Sequence, residues 1–185
     1  MNIDRFPHIP VIGTLSIMEP TTGNATTLTY EFIEASRVFI REDYLPKLVR
    51  CVEQMSEEDL WWRPNEISNS AGNLILHLCG NMRQWIVSSI GGAEFSRDRD
   101  REFSTRGPMP KAELIANLTL VTSAVDETLA GITEERMLKR LKIQKYDVST
   151  LQAIYHVVEH FGYHLGQILY IFKLRTGTDP QFYKF

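Results

Sequence analysis

The stretch HVVEHFGYHLGQ, residues 156–167, sets three of the chain's five histidines four residues apart. In an α-helix, residues at that spacing differ by about 40° in azimuth and lie about 6 Å apart along the axis, so His156, His160, His164 and Gln167 trace one slowly turning polar line. Two neighbours on such a line can share a cation, because a histidine pair at i and i+4 ligates zinc from a single helix, with metal-to-nitrogen distances of about 2.0–2.1 Å. A third ligand has to come from another element. His77 is the remaining histidine in a helical pattern, on a side shared with Leu74, Asn81 and Trp85; His8 belongs to a stretch without periodicity. An inward imidazole needs a hydrogen bond or a metal, since burying it unpaired is unfavourable. Three neutral imidazoles on one ion leave a position open for water or substrate, as in catalytic rather than structural sites.

Other polar residues could serve such a site. Asn81, one turn after His77, and Gln167, three residues after His164, can orient ligands through hydrogen bonds. Glu159 lies about 100° round the helix from His160 and reads as solvated. The run RDRDREF, residues 97–103, alternates in charge, a pattern that usually forms exposed ion pairs of little energetic weight. Its alternative use is at the mouth of the site, where Arg97, Arg99 or Arg101 would pair with a substrate carboxylate through the guanidinium fork. A three-imidazole ion can acidify water, bind a thiolate or polarise a carbonyl. Thiol transfer, hydrolysis and a non-catalytic role tying two helices together all stay open on these residues.

The elements that would carry these groups are helices. Phe32, Ile33, Val38, Phe39, Leu45, Leu48, Val49 and Val52 recur at three and four residues between Tyr30 and Met55. Pro46 inside that stripe predicts a kink or a split. Ser56 reads as the cap of a short turn ended by Pro64, and Ser68 or Ser70 as the cap of a second long helix stopped by Gly91 and Gly92. The charged stretch that follows reads as a loop closed by Pro108 and Pro110. A third helix carries Leu114, Leu118, Val121, Val125 and Leu129 up to Gly131. The interval RMLKRLKIQKYDVS is either a pair of short extended segments or a loop. Ser149 or Thr150 caps the fourth helix, whose buried face is Ile154, Val158, Phe161, Leu165, Ile168 and Phe172. Four such segments predict an all-α fold, a four-helix bundle over residues 29–185. Residues 1–28, with prolines at 7, 10 and 20, predict an irregular arm.

Composition removes several classes of function. A net charge of -3 and a pI near 6.0 leave no basic footprint for nucleic acid. No apolar run approaches the roughly 20 residues that span a bilayer, and the N-terminus lacks a secretory pattern, so a cytoplasmic address is expected. Cys51 and Cys79 are too few for a disulfide framework and read as buried thiols. Trp61 and Trp62 read as core and rim aromatics.

Taken together, NSAGNLILHLCGNMRQWI and HVVEHFGYHLGQI resemble the DinB/YfiT-like superfamily of metalloenzymes, within a branch that has no assigned reaction; the likeness spans residues 30–185 and omits the arm. It implies a four-helix bundle, often a homodimer, holding zinc or nickel on three histidines. Matched residue by residue, the implied ligands are His77, His160 and His164, with His156 one turn outside the set as a supporting group, a channel group or a substitute ligand. Some relatives transfer or isomerise with a low-molecular-weight thiol, so the resemblance also implies a small-molecule, thiol-dependent chemistry. An R..EF element recurs in the charged loop of related sequences without an implied role.

Overall fold

The computed structural model describes residues 28–182. The expected arm over residues 1–28, including His8, lies outside the described residues except for Leu28, which already opens the first helix. Eight α-helices are present among the described residues: α1 Leu28–Val38, α2 Leu45–Gln54, α3 Glu57–Trp61, α4 Ala71–Met82, α5 Arg99–Ser104, α6 Lys111–Ala130, α7 Glu134–Met137 and α8 Thr150–Thr176. Strands β1 Arg140–Ile143 and β2 Tyr146–Ser149 pair antiparallel, Arg140 opposite Ser149 and Ile143 opposite Tyr146, as a small hairpin. The extended-segment reading of this interval therefore holds, with Gln144 in the turn at φ 54°.

The first long helix is α1 and α2 joined without a break by a π-helical segment, Phe39–Tyr44. Leu45 N–H bonds to the carbonyl of Ile40, five residues back. The widened turn makes room for Pro46, which has no N–H to give and crowds the preceding turn. The predicted distortion is therefore a local change of pitch. A second π-helical segment, Arg83–Ser88, extends α4.

The caps explain where the helices start. The Ser56 hydroxyl accepts from Asp59 N–H. Ser70 and Asn73 close a capping box on α4, and Ser149 and Gln152 close another on α8. At the other end of α8, Gly177 adopts φ 65°, a left-handed conformation that suits glycine.

The bundle order follows from side-chain contacts. His77 meets His160 while Asn81 meets His156, so α4 and α8 run antiparallel. Arg37 pairs with Asp126 while Lys111 reaches the carbonyls of Glu53 and Met55, so α1–α2 and α6 are antiparallel. Tyr44 packs on Phe161 and Asp59 binds Arg175, which makes α1–α2 and α8 parallel. The order is up-down-down-up, and residues 89–110 must return along the bundle between the parallel α4 and α6.

The core is apolar and continuous, with Leu48, Leu60, Leu78, Met82, Leu118, Phe161 and Phe172 fully buried. On α8 it is Val157 rather than Val158 that is buried; Val158 packs at the edge, because the stripe turns slowly round so long a helix. Cys51 and Cys79 are buried free thiols, and burial pushes them up to about 11 and about 12.

Candidate metal centre

α4 and α8 face each other at mid-height, and three imidazoles meet there. The ligand atoms of His77, His160 and His164 lie within 4.8 Å of one another, an arrangement that could hold a metal ion. His77 and His164 are buried, at 5% and 7% exposure, and His160 is half-buried.

The hydrogen bonds decide which ring atoms are free. His77 Nδ1–H donates to Glu102 Oε2 at 2.9 Å. His164 Nδ1–H donates to Gln167 Oε1 at 2.6 Å. Each bond fixes the proton on Nδ1 and leaves the Nε2 lone pair directed inward. His164 Nε2 is buried with no hydrogen-bond partner, an arrangement that is unfavourable for a polar atom unless a cation meets it. His160 Nε2 lies 2.9 Å from His77 Nε2, about the separation of two nitrogens that share one ion at 2.0–2.1 Å. The donor set thus fits a borderline-soft divalent metal.

Burial lowers the proton affinity of this group. His160 is pushed down to about 3, first by desolvation and then by His164, His77 and His156. His164 and His156 are also lowered, chiefly by desolvation. Neutral imidazole is the form that ligates.

His156 sits outside the set. Its Nε2 accepts from Asn81 Nδ2 at 3.2 Å, and its ring lies between Trp85, at 4.2 Å, and His160, at 5.1 Å between centroids. Gln167 bonds to His164 as the spacing suggested, whereas the Asn81 side chain bonds to His156 and to none of the three clustered histidines. Arg99 is exposed on α5, its guanidinium 4.9 Å from the Phe103 ring, and Phe103 in turn packs 4.7 Å from His77. Glu159 is exposed, as expected.

The charged run behaves differently from its sequence reading. Residues 99–104 form the short helix α5, capped by Asp98, and Arg97 and Glu102 are buried partners. Glu102 Oε1 accepts from Arg97 Nε at 2.7 Å and Oε2 from Nη2 at 2.8 Å. Arg97 therefore has no free fork for a substrate carboxylate, nor is this pair an exposed one. Burial pushes the Glu102 carboxyl up, but the hydrogen bonds from Arg97 and His77 outweigh it and hold the group below the ordinary range. Gly80 makes the approach possible: a Cβ there would stand 1.9 Å from Glu102 Oε1. Asn73, already part of the α4 cap, donates from Nδ2 to the carbonyls of Glu102 and Thr105 and so ties α5 to α4.

A model of the DUF1572 family, described as a protein of unknown function, matches residues 28–182. The chain belongs to the DUF1572 family. Solved structures that share its fold include a DinB-like protein from Bacillus cereus ATCC 10987, with TM-score 0.60 and 13% identity over 79% of this chain and 91% of that one, and a conserved protein from Enterococcus faecalis, with TM-score 0.60 and 15% identity over 84% and 99%. No curated protein matches the sequence. The DUF1572 chain thus has a DinB-like, all-α fold, as the motif pair implied. No helix among the described residues is long and apolar enough to cross a membrane.

Proposed function

We propose that His77, His160 and His164 bind one divalent transition metal, zinc or nickel, and that the protein is a metal-dependent enzyme for a small molecule, most simply one that transfers a thiol. The observation that carries this reading is the buried, unpartnered Nε2 of His164 beside the two facing Nε2 atoms. Three neutral imidazoles hold such an ion with a position to spare, and the ion supplies Lewis acidity that acidifies a thiol or a water and polarises a carbonyl.

The chain's own residues have distinct tasks in this reading. Glu102 keeps the His77 proton on Nδ1, and Arg97 keeps Glu102 ionised and in place. Gln167 does the same for His164 through its amide oxygen. Trp85 and Asn81 hold His156 flat against His160, which shields that ligand from solvent. Two features favour an external thiol over hydrolysis. Glu102 is committed to Arg97 and His77, so it is not free as a base for water. Both cysteines are buried and held protonated, so the chain brings no thiolate of its own.

Elemental analysis of tag-free protein tests the reading. Wild type is expected to carry a single zinc or nickel ion per chain, and H77A, H160A and H164A to carry none. A metal-free wild type after growth with ample zinc and nickel, or an H160A variant that retains the ion, refutes it. Turnover without added thiol would move the chemistry to hydrolysis.

A further inference from the structure

A groove of about 580 Å³ opens between the turn after α3, the start of α4 and the C-terminal half of α8. Trp62, Leu74, Tyr163, Gln167, Tyr170 and Leu174 are among the residues that line it, and none of its lining residues is Asp, Glu, Lys or Arg. In a chain that is 23% charged, an uncharged wall of this size selects against ions, which would lose hydration without gaining a partner. The volume lies in the range of about 300–1,000 Å³ common to small-molecule sites, which combine apolar and aromatic walls with a few placed polar groups. Trp62 is held by the Arg175 guanidinium, 4.9 Å from its ring, and Asp59 neutralises that arginine at 2.7 Å.

Two wall residues touch the histidine cluster. Tyr163 stands edge-on to His164, with centroids 5.0 Å apart. Gln167 turns its amide oxygen to His164 Nδ1, so its Nε2, which bonds to no other described residue, remains as a donor to whatever occupies the groove. We propose that the groove seats the neutral, aromatic or branched apolar body of the substrate, with an acceptor atom on Gln167 Nε2, against the Nδ1 side of His164 and away from the inward Nε2 atoms. This rests on the metal-enzyme reading above and narrows it: the non-reacting body of the substrate is uncharged and apolar, not a carboxylate.

The test uses 5-fluorotryptophan labelling, which gives three resonances for the three tryptophans, with W62F assigning the reporter. The probes are naphthalene-2-carboxamide and naphthalene-2-carboxylate. The Trp62 resonance is expected to shift saturably with the amide, in wild type and H160A alike. The carboxylate should bind at least about tenfold more weakly, since its charge finds no partner. Q167L should weaken the amide about fivefold, the worth of one hydrogen bond, and L174D, an exposed position that leaves the core intact, should abolish the shift. The absence of a saturable shift, equal binding of the two probes, or binding that survives L174D overturns the proposal. So does a Trp62 shift that follows protein concentration instead of probe, which would make the groove a contact between copies of the chain. Because the binding is read in H160A as well, loss of the metal reading leaves this result standing, and failure here leaves the metal content unaltered.

Discussion

Replacing Glu102 separates two effects that the wild-type carboxylate combines, neutralising Arg97 and fixing the His77 proton. The Arg97 and Glu102 side chains are only 6% and 9% exposed. E102A removes one partner and leaves a buried guanidinium uncompensated, which destabilises by about 3–5 kcal/mol and lowers Tm by about 10 °C for a chain of this length. E102Q keeps the volume. Its amide oxygen can still accept from Arg97, but its NH2 then faces His77 Nδ1, which donates in the wild type. The ring escapes that conflict by moving its proton to Nε2, the atom aimed at His160. E102Q should therefore lose only about 1–3 kcal/mol of stability while binding zinc about 10- to 100-fold more weakly. Urea denaturation in chelator measures the first quantity, and competition against a chromophoric zinc chelator measures the second. If E102Q binds zinc as tightly as wild type, Glu102 does not set the tautomer of His77. If E102A is as stable as E102Q, the buried arginine does not depend on its counter-ion.

Other outcomes follow from the same contacts. His160 is held near 3 in the fold against an ordinary 6.5, so the folded chain refuses a proton that the unfolded chain accepts; the metal-free protein should keep this stability above pH 6.5 and lose it as pH falls toward 3. The slope is at most about 1.4 kcal/mol per pH unit for each proton, lessened by solvent at the half-buried ring, and urea melts of H160Q between pH 7 and 4 should be flatter; an identical profile refutes the assignment. G80A places a methyl against Glu102 Oε1 and should reproduce the zinc loss of E102Q by calorimetry, whereas G166A, whose added Cβ meets nothing within 4 Å, should raise stability by up to about 1 kcal/mol. Asp126 on α6 binds Arg37 of α1 and Arg41 of the π-helical segment after it, and the Arg37 hydrogen bond heads the causes that hold its carboxyl below the usual range. D126N should lose about 1 kcal/mol at pH 7, with the difference from wild type shrinking as pH falls through that depressed value; a difference that persists at pH 2 would show that the charge is not its source.

Periodicity made the bundle legible because each long helix buries one stripe, and the capping serines marked three of its starts. The histidine spacing on α8 and the i+3 partner Gln167 were legible for the same reason: both are relations within a single helix. What spacing could not supply was the relation between helices. Four-residue intervals treat His156, His160 and His164 alike, and it is Asn81 on α4 and Trp85 on its π-helical extension that draw His156 out of the set. Glu102 was hidden more deeply, since a run of alternating charge looks solvated whichever members fold inward. Its partner His77 is 25 residues away, brought close only because the parallel pair α4 and α6 forces residues 89–110 to return along the bundle. The available clue was Gly80, a residue of low helix propensity facing that return.

The two buried thiols carry a consequence for how the chain meets disulfides. With both thiols shielded and held protonated well above neutrality, neither can attack a disulfide, so a glutathione redox buffer should leave the folded bundle covalently unchanged. The same inertness gives the protein a blank background for thiol chemistry: a single cysteine introduced at the surface can be tagged selectively in the folded chain.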